Sequence, residues 1–311
     1  MEGLADVHLR RLLTAQGGFD WVVSEFVRVV DKPLPDHVFH RICPELEAGG
    51  KTRSGTPVRV QLLGNHLEAM AANAHRAAEL GAFGIDINFG CPSKTVNRSQ
   101  GGAVLLKEPE TLYRVVKAVR EALPASMVVS AKMRLGFDDT SLMLDNARAV
   151  ASAGASELTV HARTRQQGYA PPAHWHELAR IREAVSLPLI ANGDIWTVTD
   201  YERCVEVSGL TDVMLGRGAV RRPSLARQIR AGREEAPDWA PVSELLLAFW
   251  FDMKAGLARK YWTGRVKQWL NHLRHVYPEA EQLWTDVRRH HDPAVVESLL
   301  LADGPTTDIA V

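Results

Sequence analysis

Cysteine is scarce in this chain of 311 residues: Cys43, Cys91 and Cys204 are odd in number and far apart. That excludes a disulfide framework and an all-cysteine iron–sulfur cluster, so redox work would need another carrier. An excess of one charge is lacking too, since 37 Lys and Arg balance 37 Asp and Glu. No global field draws in nucleic acid, and any contact with RNA must use local patches. Long apolar runs are missing. The longest near the C-terminus, Leu245 to Phe251, is far too short to cross a bilayer, and Arg10 and Arg11 leave no signal-peptide pattern. A cytoplasmic location is expected, with no membrane association and no obligate protein partner. No metal site is expected either: His174 with His176, and His290 with His291, have no carboxylate or thiolate at ligand spacing.

What is present is a regular alternation. With 46% hydrophobic and 24% charged residues the composition is that of an ordinary globular protein. Short apolar runs read as strands at residues 21–25, 58–63, 84–89, 128–132, 157–161, 187–191 and 212–215. Amphipathic segments lie between them at 67–80, 110–123, 141–153 and 197–208. Strand and helix in strict alternation imply parallel βαβ units, and here a TIM-type (β/α)8 barrel. Only seven strands are legible. The missing one should precede the helix at 7–13, where the chain has no room for it, and its absence would leave two unpaired edges. The simplest expectation is a start site placed downstream of the true one; the other is an open sheet. Charge and proline gather at 234–238, and the chain beyond reads as helix throughout. The expected division is an α/β barrel catalytic domain over 1–236 and a helical domain over 237–311.

In such barrels the reactive groups sit where strands end. The run Ile-Asp-Ile-Asn-Phe-Gly-Cys-Pro-Ser-Lys at 85–94 is an apolar strand that stops at Gly90 and carries Cys91 into the following turn. A bare Cys there is ordinarily a small buried apolar residue. Its neighbours change that reading: Asn88 offers donors and an acceptor to a planar polar ligand, and Lys94 would lower the thiol pKa if it came near. Polar groups recur at the other strand ends as Glu25, Gln61, Lys132 with Arg134, His161 with Arg163, Asn192-Gly193-Asp194 and Gly216-Arg217-Gly218. The last two clusters occupy the loops where these barrels commonly hold a phosphate, with glycines for backbone approach and Arg217 for charge. Gln61 and Lys132 suit the polar edge of a flat ring, the ammonium opposing negative charge on its reduced form. Flavin mononucleotide (FMN) meets both demands. In the tail, Trp262, Val266, Trp269, Leu270, Leu273 and Val276 share one helical face and read as core. Lys267 and Arg274 lie on another face, with Arg265 flanking the apolar stripe.

The motif Gly90-Cys91-Pro92-Ser93-Lys94, with Gly101-Gly102-Ala103, Lys132-Met133-Arg134-Leu135-Gly136, His161-Ala162-Arg163-Thr164 and Asn192-Gly193-Asp194, resembles the tRNA-dihydrouridine synthases. The resemblance covers essentially the whole chain. It implies FMN-dependent reduction of the uridine 5,6 double bond in tRNA, with NADPH as electron donor. By that resemblance Cys91 protonates C5, and Met1, Glu2, Gln61, Lys132, His161, Asn192, Gly193, Asp194, Gly216 and Arg217 hold the flavin. Asn88 and Arg163 would face the uracil, in a pocket deep enough for a base that has left its stack. The segments 25–31 and 265–270 look like the C subfamily, which acts on uridine 16 of the D-loop, with Arg28, Arg265, Lys267 and Arg274 as tRNA contacts. Two rivals stand beside this reading. One is a flavin barrel acting on a free pyrimidine, against which the basic helical tail argues; the other is a non-catalytic tRNA-binding relative, against which retention of Cys91 argues.

Overall fold

The computed structural model describes residues 1–304. Seven strands form one sheet: β1 (Val22–Arg28), β2 (Val58–Leu63), β3 (Gly84–Asn88), β4 (Val128–Arg134), β5 (Glu157–His161), β6 (Leu189–Asn192) and β7 (Val213–Met214). Each pairs in parallel with the next in sequence order, and β7 does not pair with β1. The sheet therefore curls as a barrel open along one seam, as expected of a chain in which seven strands are legible. Val- and Ile-rich runs form these strands because both faces are covered: every residue of β2 is buried. Parallel register also aligns the strand ends, setting Asn88 beside Lys132, Arg134 beside His161, and Asn192 between His161 and Met214.

Helices cover the outside of the sheet, among them Leu67–Glu79, Pro109–Glu121, Met143–Ser152 and Val198–Ser208, close to the segments expected. Two others, Asp36–Ile42 and Trp175–Ala184, lie outside those segments. Where the last barrel strand ends, Gly216 leads into the short Arg217–Arg221 helix, and Gly218 packs against Ile195. A Cβ on Gly218 would lie 2.1 Å from the Ile195 carbonyl oxygen. We predict that Gly218→Ala costs about 1–3 kcal/mol through this backbone clash, read as a lower midpoint in chemical unfolding. An unchanged midpoint would show that the turn yields freely.

A second core lies outside the barrel. The helices Ala240–Gly256, Trp262–Leu273, Pro278–Val287 and Pro293–Asp303 bury Phe249, Trp250, Val266, Trp269, Leu270 and Leu273. Phe249 and Trp269 meet edge to face at 5.0 Å, and Trp269 Nε1 donates to the Val220 carbonyl at 3.0 Å, tying the tail to the barrel. This core also takes Leu4, Leu9, Leu12 and Leu13 from the N-terminal segment and its Val7–Ala15 helix. The last helices begin at Ala240, and the first residues of the chain pack with them. Arg10 adds a buried bidentate pair to Glu45, so the N-terminal helix is fastened to the barrel side as well.

Candidate active site

At the C-terminal ends of the strands lies a cavity of about 1080 Å³. Its walls include Met1, Glu2, Gln61, Asn88, Cys91, Lys132, His161, Asn192, Gly193, Asp194, Gly216 and Arg217. Residues spread over more than 200 positions of sequence are thus brought around one space by the strand register. Val22 and Val23 of β1 and Val213 and Met214 of β7, the two edge strands, also line the cavity.

Cys91 is half-buried on the turn after β3. Asn88 Oδ1 accepts from the N–H of Gly90 at 2.9 Å and of Cys91 at 3.0 Å, fixing the turn from beneath. From the far side Asn97 Nδ2 donates to the Cys91 carbonyl at 3.0 Å. Gly102, at φ 66°, leaves no room for a Cβ, which would come within 2.9 Å of Cys91 Cβ. The thiol pKa is pushed up, chiefly by burial and further by the Glu2 carboxylate. The lowering that a nearby Lys94 would bring does not prevail. A protonated thiol at neutral pH suits an acid rather than a nucleophile.

Lys132 reaches into the cavity from β4 and donates to Asn192 Oδ1 at 3.1 Å, while Asn192 Nδ2 donates to the Met214 carbonyl at 2.7 Å. Burial and then Arg134 lower its pKa to about 8. No carboxylate is bound to this ammonium among the described residues. His161 is held neutral, its pKa far below the ordinary value through burial and through Lys132, Arg134, Arg163 and Arg217 around it. Gly193, at φ 121°, passes so close to the imidazole that a Cβ would lie 2.9 Å from Cδ2.

Arg163 is placed differently from expectation. Its side chain is fully buried, does not line the cavity, and donates to the Ala170 carbonyl at 2.6 Å and to Asp194. It stands behind His161, with Nη1 and Nε2 3.4 Å apart. It therefore orders His161 and the Asp194 loop instead of facing a substrate. The chain turns back after β5, so the alternation that would aim residue 163 inward no longer applies.

At the opposite wall Arg217 lies between two aromatic rings, 4.6 Å from the Tyr169 centroid and 5.2 Å from that of Trp196. Arg221 stacks on Trp196 at 4.2 Å. Tyr169, Trp196 and Asn97 carry no mark in the sequence as site residues, whereas Arg134 stands among the strand-end groups. Arg134 donates to the Gly90 carbonyl at 2.9 Å and to Thr164 and Gly168 carbonyls, joining the Cys91 turn to the loop that carries Tyr169.

The four expected rim cations do not line the cavity. Arg265 donates to the Gly3 and Leu4 carbonyls and pairs with Asp6, holding the N-terminal segment. Lys267 donates to the Arg288 carbonyl at 3.1 Å and to that of His290, past the end of the Pro278–Val287 helix, where a cation is favoured. Arg274 pairs with Glu281 at 3.2 Å. Arg28 is exposed and bonded to the uncharged Ser99 hydroxyl. Three of the four thus fasten the helical unit, and Arg28 is the one with no carbonyl or carboxylate partner among the described residues.

Among the described residues no group of His, Cys, Asp or Glu could hold a metal, and no helix is long and apolar enough to cross a membrane. A family model described as Dihydrouridine synthase (Dus) matches residues 1–290. The chain belongs to the dihydrouridine synthase family. Similar members include the tRNA-dihydrouridine(16) synthase of Aquipseudomonas alcaligenes, 53% identical over 96% of each chain. The protein of that description from Pseudomonas putida is 50% identical over 100% of this chain and 98% of its own. Likeness of fold extends to solved structures at low identity. Histamine dehydrogenase from Rhizobium sp. 4-9 superposes with a TM-score of 0.57 at 14% identity, over 83% of this chain and 48% of that one. Morphinone reductase in complex with tetrahydroNAD gives 0.50 at 12%, over 76% and 85%.

Proposed function

We propose that this dihydrouridine synthase reduces uridine 16 of tRNA to 5,6-dihydrouridine, with FMN as bound cofactor and NADPH as electron donor. The observation that carries the reading is the convergence on one deep cavity of a protonated thiol, Cys91, and an ammonium, Lys132, that has no carboxylate partner among the described residues. The residues present fit FMN. Lys132 matches an anionic ring edge, neutral His161 and Asn192 are polar without adding charge, and Arg217 beside the Gly216 turn matches a phosphate. Bound FMN would supply a hydride to C6 of the uracil.

The chain's own part is to bind, orient and protonate. Asn88 holds the turn that carries Cys91, and the Cys91 thiol gives its proton to C5, so hydride and proton together saturate the double bond. The half-buried setting that raises the thiol pKa keeps that proton in place until it is needed. Arg163 and Arg134 act by ordering His161 and the Cys91 turn. The names of the relatives support position 16, and the helical tail gives a surface larger than a free pyrimidine needs. Of the proposed tRNA contacts, Arg28 is the most available. Arg265, Lys267 and Arg274 would have to exchange their present partners for phosphates.

Three results test this reading. Arg217→Ala should weaken FMN binding by about 1.5–3 kcal/mol, the scale of a charge-assisted hydrogen bond, measured by fluorescence titration. Equal affinity in variant and parent would move the phosphate elsewhere. Arg28→Ala should flatten the dependence of log affinity for tRNA on log salt by about one phosphate contact. NADPH-reduced protein mixed rapidly with unmodified tRNA transcript should reoxidise, and with free uridine it should not. The reverse pattern favours a small-molecule substrate.

A further inference from the structure

One buried carboxylate plays no part in the reaction as derived above. Asp86 lies in the middle of β3, fully buried, and the register sets it between Gln61 of β2 and Ser130 of β4. Two residues on, Asn88 projects from the same face of the strand. Ser130 Oγ donates to Asp86 Oδ1 at 2.7 Å and Gln61 Nε2 donates to Oδ2 at 2.7 Å. Gln61 Oε1 accepts from Asn88 Nδ2 at 2.7 Å. Asn88 Oδ1 in turn accepts from the N–H groups of Gly90 and Cys91 at 2.9 and 3.0 Å. Burial pushes the Asp86 carboxyl above its ordinary range, and the two donors oppose that shift.

A carboxamide's oxygen and nitrogen have nearly the same shape, so its direction is set by its partners. Here both ends agree. A carboxylate accepts, a backbone N–H donates, and reversing either amide between them would face oxygen with oxygen or N–H with N–H. Each amide NH2 spends one hydrogen in the relay. The second has no acceptor among the described residues, and Gln61 and Asn88 both line the cavity.

We propose that Asp86 is a positioning residue: it fixes the direction of the relay through Gln61 and Asn88, so that both present N–H donors to the cavity and the Cys91 turn is held. The ligand edge opposite those donors must carry acceptors, as an imide carbonyl does; this clause rests on the flavin reading, while the relay stands without it.

Exchanging the two end groups tests the proposal on the full chain. Asn88→Asp alone sets an acceptor against Gln61 Oε1, and turning Gln61 sets its oxygen against Asp86. The variant should lose several degrees of Tm and bind FMN roughly 10- to 100-fold more weakly, the scale of a buried unsatisfied pair. Adding Asp86→Asn lets the relay run backwards: the new amide at position 86 donates to Gln61 Oε1, and Gln61 Nε2 donates to the new carboxylate at position 88. The double variant should recover most of the lost Tm while FMN binding stays weak, because the cavity face now carries acceptors. Should Asn88→Asp not fold at all, recovery of folded protein by the second substitution is the same result. A double variant no more stable than Asn88→Asp, or one that binds FMN as the parent does, overturns the proposal. A parental chain that binds no FMN would sink the flavin reading, and the stability cycle would still judge the relay.

Discussion

Replacing Cys91 with Ala should cut dihydrouridine formation by about 10²- to 10⁴-fold, the usual contribution of a positioned proton donor. The side chain is small and its turn is held by backbone groups, from Asn88 below and Asn97 above, so the variant keeps the turn. FMN affinity and reduction by NADPH should be unchanged, since neither uses the thiol. Hydride transfer from reduced protein to tRNA, followed in a single turnover, should then fall with the loss of the proton. Formation of dihydrouridine at the parental rate would make Cys91 structural and call for another acid.

Lys132→Met should have the next largest effect. The ammonium stands at the cavity wall with Asn192 Oδ1 as its hydrogen-bond partner, and in the proposed reading it would oppose negative charge on a reduced ring. Removing such a fixed electrostatic group costs about 10²- to 10³-fold in rate. A pH signature separates this from loss of packing. Burial holds the Lys132 pKa at about 8, so the cation predominates below that pH and is lost above it. FMN affinity of the parental protein should therefore decline as pH rises through about 8, and Lys132→Met should show no such decline. Parallel pH profiles for the two proteins would assign the titration to another group.

The sequence made the strands legible where burial on both faces demands unbroken apolar runs, as in β2 and β5, which lie where expected. β6 begins two residues later than the run at 187–191 suggests, because Pro188 cannot join the ladder as a donor. β7 shrinks to Val213–Met214, with no further strand beside it to prolong pairing. The cavity residues were legible for a related reason: a strand end fixes where a side chain must stand, whatever path the chain takes elsewhere. Tyr169 and Trp196 belong to loops whose course depends on distant contacts, and nothing local in the sequence marks them as partners of Arg217. Asp86 looked like one more residue of an alternating strand, since its meaning lies in Gln61 and Ser130 across the sheet. Arg265, Lys267 and Arg274 read from the sequence as tRNA contacts. Their partners include backbone carbonyls, at Gly3, Leu4, Arg288 and His290, which leave no mark in side-chain pattern.

The central claim is the reaction at one nucleotide of tRNA, and mass-spectrometric mapping of dihydrouridine reads it directly. tRNA from cells lacking this protein should carry uridine at position 16, and purified protein with FMN and NADPH should convert that residue and no other to dihydrouridine. Cys91→Ala protein under the same conditions should leave it uridine. Dihydrouridine at position 16 in the absence of the protein, or conversion confined to another position, would contradict the account.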